Sequence, residues 1–127
     1  MLDHVGIVVH DVTSARTFYE AALAPLGYRA LIEDGDDGKG HPTQIGFGMD
    51  KPEFWIGYGH KSTGHLHVAF IAQNRAAVDA FYKAALAAGA RDNGAPGLRP
   101  KYHPDYYGAF VFCPDGINVE AVCHLPE

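Results

Sequence analysis

Cysteines, runs of basic residues and long apolar stretches are all scarce in this sequence, and each scarcity excludes a class of protein. The two cysteines are too few for a disulfide scaffold and lack the spacing of metal ligands, which favours a reducing cytoplasm. Apolar runs are no longer than a strand, so no segment is predicted to cross a bilayer. The first residues show neither the basic region nor the apolar core of a secretion signal.

The charge balance narrows the choice of partners. The net charge is −5 and no basic run is present, which argues against nucleic acid and against an anionic membrane surface. We therefore expect a small-molecule partner. A chain of 127 residues makes one ordinary domain that can bury a core without disulfides. Eight histidines are many for this length, and they carry most of the functional argument.

An internal repeat organises the chain. A shift of 63 residues aligns His4-Val5 with His67-Val68 and Phe18-Tyr19 with Phe81-Tyr82, and it gives eight identities over positions 4–24. Each half starts with a strand-like run, at 3–10 and 66–72. Each continues with one apolar helical stripe. The stripes consist of Ala15, Phe18, Tyr19, Ala22 and Leu23, and of Val78, Phe81, Tyr82, Ala85 and Leu86.

Short strand-like runs follow each predicted helix. They lie at 28–33, 43–49 and 53–58 in the first half, and at 108–113 and 117–123 in the second, with a weak strand near 89–92. Residues 93–107 contain three prolines and are predicted to form a long loop that rims the site. The pattern predicts a single α+β domain over 1–127, built from two tandem βαβββ modules, about 1–60 and about 64–127.

Strand alternation places three candidate metal ligands on predicted site-facing positions. His4 and His67 face away from the helix side of their strands and are equivalent by the repeat, while Glu120 lies on the last strand. Two imidazoles and one carboxylate suit a catalytic divalent ion, because three protein ligands leave positions open for water or substrate. A structural role on the strand, without a metal, is the alternative for each of these residues taken alone.

The motifs of both halves resemble the vicinal oxygen chelate superfamily, which includes glyoxalase I, extradiol dioxygenases and the fosfomycin and bleomycin resistance proteins. The resemblance runs nearly end to end. It is carried by Asp3-His4-Val5-Gly6-Ile7 with Asp11-Val12, by the Phe18-Tyr19 helix, by His65-Leu66-His67-Val68-Ala69-Phe70, and by Pro114-Asp115-Gly116-Ile117-Asn118-Val119-Glu120. It implies mixed sheets that form a cup-shaped half-barrel with the helices outside.

The resemblance also implies a function and a ligand set. His4, His67 and Glu120 match three metal-ligand positions of the superfamily, for one divalent ion that is Fe, Mn, Ni or Zn. The fourth strand, 54–58, offers no carboxylate at the remaining ligand position. The implied activity is a lyase, isomerase or dioxygenase reaction on a substrate that chelates the metal through vicinal oxygens. The alternative is a metal-free binding protein of the bleomycin-resistance type. A homodimer is expected in either case.

Other residues are candidates for contact with the substrate. His103 and Tyr102 lie on the predicted rim loop and are candidate acid–base residues. The predicted substrate pocket consists of Trp55, Tyr58, His65, Arg99 and Tyr107. Ordinary packing and solvated surface charge are the competing explanations for these residues.

Overall fold

The computed structural model describes residues 2–59 and 64–127. Two βαβββ modules follow one another along the chain, as the repeat predicts. The first comprises β1 (Val5–Val9), α1 (Val12–Leu23) with a 3₁₀ turn (Ala24–Leu26), β2 (Arg29–Asp34), β3 (Gln44–Gly48) and β4 (Phe54–Tyr58). The second comprises β5 (His67–Ile71), α2 (Arg75–Ala87), β6 (Arg91–Leu98), β7 (Tyr107–Phe112) and β8 (Asn118–Cys123). The predicted α+β class is confirmed.

Each module contributes one four-stranded mixed sheet. The strand orders are β1-β4-β3-β2 (sheet A) and β5-β8-β7-β6 (sheet B), and the two sheets do not close into a barrel. In both, the first strand pairs in parallel with the last, and the other pairings are antiparallel. In sheet B the parallel register sets His67 opposite Asn118 and Ala69 opposite Glu120. The first and last strands of each module therefore meet, which brings residues from its two ends together.

Local sequence explains the start and the buried stripe of both helices. Asp11 caps α1 by accepting a hydrogen bond from the Ser14 amide at 2.9 Å, and Asn74 caps α2 through the Ala77 amide at 2.8 Å. Phe18 and Phe81 are equivalent in the repeat and are 2% and 0% exposed. The prediction that both rings are buried is confirmed.

One continuous hydrophobic core joins the two modules. It contains residues of both helices and of both sheets, and α1 contacts α2. Phe54 of sheet A and Phe70 of sheet B meet edge to face, with ring centroids 5.1 Å apart. Side chains alternate along a strand, so the residues between these core positions lie on the face of each sheet that points away from the core and the helices. This face is here called the outer face of the sheet.

The predicted long loop at 93–107 is wrong in its first half. Residues 91–98 form β6, which pairs antiparallel with β7 through two register shifts, and only residues 99–106 form the connection. An edge strand tolerates this composition, because Pro96 needs no partner on its open side and the glycines accommodate the bulges. No helix in the described ranges is long and apolar enough to span a membrane.

Candidate functional site

His67 and Glu120 contact each other on the outer face of sheet B. His67 Nε2 lies 3.0 Å from Glu120 Oε2. Glu120 is only 2% exposed and is the one buried charged residue in the described part of the chain. Burying a charged carboxylate costs free energy unless the group is paired or binds a cation. The groups that contact Glu120 therefore determine whether this face can bind a cation.

The hydrogen bonds of His67 determine which nitrogen can face a cation. Its Nδ1 lies 3.2 Å from the backbone carbonyl oxygen of Asn118, which can only accept, so Nδ1 carries the proton of the neutral ring. Nε2 of the neutral imidazole then presents a lone pair to the Glu120 carboxylate. Two acceptors at 3.0 Å repel each other unless a proton or a metal ion lies between them.

Tyr106 holds the other oxygen of this carboxylate. Its hydroxyl donates to Glu120 Oε1, and burial together with this hydrogen bond raises the pKa of Tyr106 well above its usual range. Gly108 leaves the necessary room, because a Cβ there would meet both Glu120 Oε1 and the Tyr106 ring at 3.2 Å. Tyr106 is not among the site residues predicted from the sequence; its position two residues before the glycine at 108 is the sequence signal for this contact.

The two candidate acid–base residues lie next to Tyr106 but do not touch Glu120. His103 Nε2 lies 2.6 Å from His124 Nδ1, and His103 Nδ1 accepts a hydrogen bond from the Asp105 amide at 3.1 Å. The Tyr102 ring packs on that of Tyr106, with centroids 4.9 Å apart. The 99–106 connection thus borders the His67–Glu120 pair, and its direct contact is made by Tyr106.

His4 immediately precedes β1 of the other sheet. Its Nδ1 is 2.6 Å from Asp3 Oδ1, and this hydrogen bond is the main cause that lowers the pKa of Asp3. Trp55 borders the same shallow depression on the outer face of sheet A. Within 2–59 and 64–127 of one chain, no three His, Cys, Asp or Glu side chains form a group that could hold a metal ion. The structure therefore joins His67 with Glu120 and leaves His4 apart from them.

Arg99 belongs to the same outer face as His67. Its guanidinium lies over the ring of Phe110, 5.6 Å from the centroid. The ring of His67 stacks on the same Phe110, with centroids 6.2 Å and planes 21° apart. The guanidinium and the imidazole thus pack on the same aromatic ring.

The other predicted pocket residues lie elsewhere. Tyr107 packs against the core, and its hydroxyl donates to Asp79 of α2 at 2.7 Å, so it faces away from Glu120. Tyr58 is 73% exposed at the end of β4. His65 lines a cavity with His10 and Asp115, where the His10 amide donates to Asp115 at 2.9 Å. Alternation from the buried Ala109 and Val111 would have placed Tyr107 on the core side.

A family model described as the glyoxalase, bleomycin resistance protein and dioxygenase superfamily matches residues 1–121. The chain belongs to this superfamily. The resemblance carried by its sequence motifs is thereby confirmed. A search of curated proteins finds no match.

Solved structures of superfamily proteins share the fold over nearly the whole chain. A glyoxalase/bleomycin resistance protein from Albidiferax ferrireducens T118 is 25% identical, with a TM-score of 0.79 and coverage of 97% of this chain and 98% of that one. A family enzyme from Burkholderia phytofirmans PsJN is 20% identical (TM-score 0.73, coverage 97% and 98%). The fosfomycin resistance protein FosX from Mesorhizobium loti is 17% identical (TM-score 0.67, coverage 97% and 91%). The last two likenesses concern the fold alone.

Proposed function

We propose that this protein is a divalent-metal-dependent enzyme of its superfamily, acting on a small molecule that chelates the metal through two adjacent oxygens. The observation that carries the proposal is the His67–Glu120 pair. A fixed tautomer directs the Nε2 lone pair at a buried carboxylate, an arrangement that is favourable only with a proton or a metal ion between the two groups.

The donor set fits a divalent ion. Imidazole nitrogen and carboxylate oxygen together suit Zn, Fe, Mn or Ni, and ligands bound at about 2.1 Å on adjacent sites of an octahedral ion lie about 3.0 Å apart. His67 and Glu120 have this separation. Since His4 of the same chain does not join them, we propose that a second copy supplies His4. A two-fold homodimer then has two equivalent sites.

The chain's own residues have defined tasks in this proposal. A bound ion would act as a Lewis acid that stabilises negative charge on a substrate oxygen. Tyr106 holds Glu120 Oε1 and so leaves Oε2 turned toward His67. The Asn118 carbonyl keeps the His67 proton on Nδ1. Lyase, isomerase and dioxygenase chemistry are all compatible with these tasks.

A metal-free binding protein of the bleomycin-resistance type is the second candidate. The observation that favours it is that no three donors converge within the described residues of one chain. In that case a proton between His67 and Glu120 would satisfy the pair, and the outer faces with Trp55 and Phe110 would bind an apolar ligand.

Metal analysis separates the two candidates. Protein without a histidine tag, purified without chelator and dialysed against Zn(II) or Mn(II), is expected to retain about one ion per chain. His67→Ala should abolish this binding. His41→Ala removes an exposed histidine that pairs with Asp37 on the distant β2–β3 loop, so it is the matched control and should bind like the parent.

The opposite results would favour the second candidate. Parent protein that retains no metal, or His67→Ala that binds as well as the parent, contradicts the enzyme proposal. Circular dichroism of each variant must match the parent, so that loss of metal is not loss of the fold.

A further inference from the structure

Arg99 is a cation without an acidic partner on the outer face of sheet B. It is half-buried, and it forms no ion pair with any residue in the described ranges. Its Nη2 donates to the Ala95 carbonyl at 2.7 Å, and its Nη1 lies 3.4 Å from the Leu98 carbonyl. These neutral acceptors orient the guanidinium while its full charge remains uncompensated.

The strand beneath Arg99 is shaped to receive the guanidinium. A Cβ at Gly97 would lie 3.0 Å from Arg99 Nη1, and one at Gly94 would lie 3.3 Å from Nη2. The two glycines therefore let the guanidinium lie close against the strand. Below the guanidinium is the ring of Phe110, and a cation over an aromatic face is attracted to it. Glycines, carbonyls and ring together hold the charge in one place.

Arg91 also packs on an aromatic ring of β7, but it differs from Arg99 in exposure and in hydrogen bonding. Its guanidinium lies over Phe112 at the other end of β6, 5.3 Å from the centroid. Arg91 is exposed and makes no side-chain hydrogen bond within the described chain. An exposed arginine is ordinarily solvated, whereas a half-buried guanidinium held by neutral acceptors keeps its charge and its remaining donors available to an anion.

We propose that Arg99 is the specificity-determining residue of the site, and that the substrate carries an oxyanionic group, carboxylate or phosphonate, which binds its guanidinium. This inference rests on the proposed function. The anion would lie near Phe110, on which His67 also packs, while the chelating oxygens of the same molecule reach the His67–Glu120 pair. An oxyanion matches the donors of a guanidinium, and the acidic chain as a whole would otherwise repel such a ligand.

Three probes that share vicinal oxygens test the assignment. They are neutral catechol, 3,4-dihydroxybenzoate and 3,4-dihydroxyphenylphosphonate, titrated calorimetrically into metal-free protein and into protein loaded with redox-inert Zn(II). The parent should bind one or both anionic probes about tenfold more tightly than catechol. The stronger of the two identifies the anion.

Three variants distinguish a positioned guanidinium from net charge. Arg99→Gln should bind all three probes alike. Arg99→Lys keeps the charge but lacks the planar fork that the Ala95 and Leu98 carbonyls orient, so its anion preference should fall toward that of Arg99→Gln. Lys83→Gln removes one exposed positive charge on α2 and should retain the parent's preference.

The outcomes separate this inference from the proposed function. If Zn(II) fails to tighten catechol binding, the metal proposal fails, while the Arg99-dependent preference measured without metal still decides the inference. An unchanged preference in Arg99→Gln or in Arg99→Lys, or equal binding of all probes by the parent, overturns the inference alone. Parent protein that binds no probe in either state overturns both.

Discussion

His67 and Glu120 come from opposite ends of the second module and place an imidazole nitrogen 3.0 Å from a buried carboxylate oxygen. The parallel pairing of β5 with β8 makes this contact possible, because it sets residues 53 positions apart side by side. Tyr106 and the Asn118 carbonyl then orient the two partners.

Tyr106→Phe should weaken metal binding while the fold is kept. The change removes the hydrogen bond that orients Glu120. Loss of a residue that hydrogen-bonds to a metal-ligating side chain typically lowers the affinity for the metal about 10- to 100-fold. Competition with a metal-sensitive dye measures the change. Tyr82→Phe removes a similar tyrosine–carboxylate hydrogen bond, to Asp92 on the helix side, and should leave affinity unchanged. Equal affinities for all three proteins would refute the role of Tyr106.

Mixing two inactive variants should restore metal binding if two copies share each site. His4→Ala and His67→Ala alone should each fail to bind. When they are unfolded, mixed and refolded together, a heterodimer contains one intact site, so roughly a quarter of all sites should recover. His67→Ala mixed with Glu120→Gln is the control that cannot recover, because both changes affect the same half-site. No recovery in the first mixture, or a monomer by light scattering, would exclude the shared site.

Phe81→Ala should lower the free energy of unfolding by about 3–5 kcal/mol, since it opens a cavity at a fully buried position. The equivalent Phe18→Ala should cost a similar amount, because its ring is buried to nearly the same extent. Leu86 lies on the same helix but is 36% exposed, so Leu86→Ala should cost less, about 1–2 kcal/mol. Urea unfolding measures all three. A loss for Phe81→Ala no larger than that for Leu86→Ala would contradict the described core.

Deprotonation of Tyr28 should lower the free energy of unfolding at alkaline pH. Its hydroxyl donates to Glu53 at 2.9 Å, and burial together with this bond raises the pKa of Tyr28 from 10.0 to about 12. Below pH 10 both the folded and the unfolded state keep the proton. Between pH 10 and 12 the unfolded state loses it first, so the free energy of unfolding falls as pH rises.

The comparison with Tyr28→Phe isolates this effect from the other tyrosines. The variant should be less stable than the parent at pH 8, by about 1 kcal/mol, and the difference should shrink steadily from pH 10 to 12. Urea titrations at intervals across this range measure it. A stability difference that stays constant with pH would show that folding does not raise the pKa of Tyr28.

Local and periodic features were predictable from the sequence because they need only near neighbours or a repeat. The helical stripes around Phe18 and Phe81 identified the buried helix faces, and the 63-residue repeat predicted two βαβββ modules. Strand alternation placed His67 and Glu120 on one face before their contact was known. Other features depended on which strands pair in the folded structure. Pairing with β7 turned the glycine- and proline-rich residues 91–98 into an edge strand.

The details of the site depended on which strands became neighbours. Tyr106 reaches Glu120 only because the β7–β8 register brings Gly108 beside it, and Arg99 meets Phe110 only because β6 folds back along β7. The arrangement of the two modules set His4 apart from His67 and Glu120, although the repeat makes the two histidines equivalent. Sequence periodicity determines which face a side chain occupies, whereas the packing of whole sheets determines which faces meet.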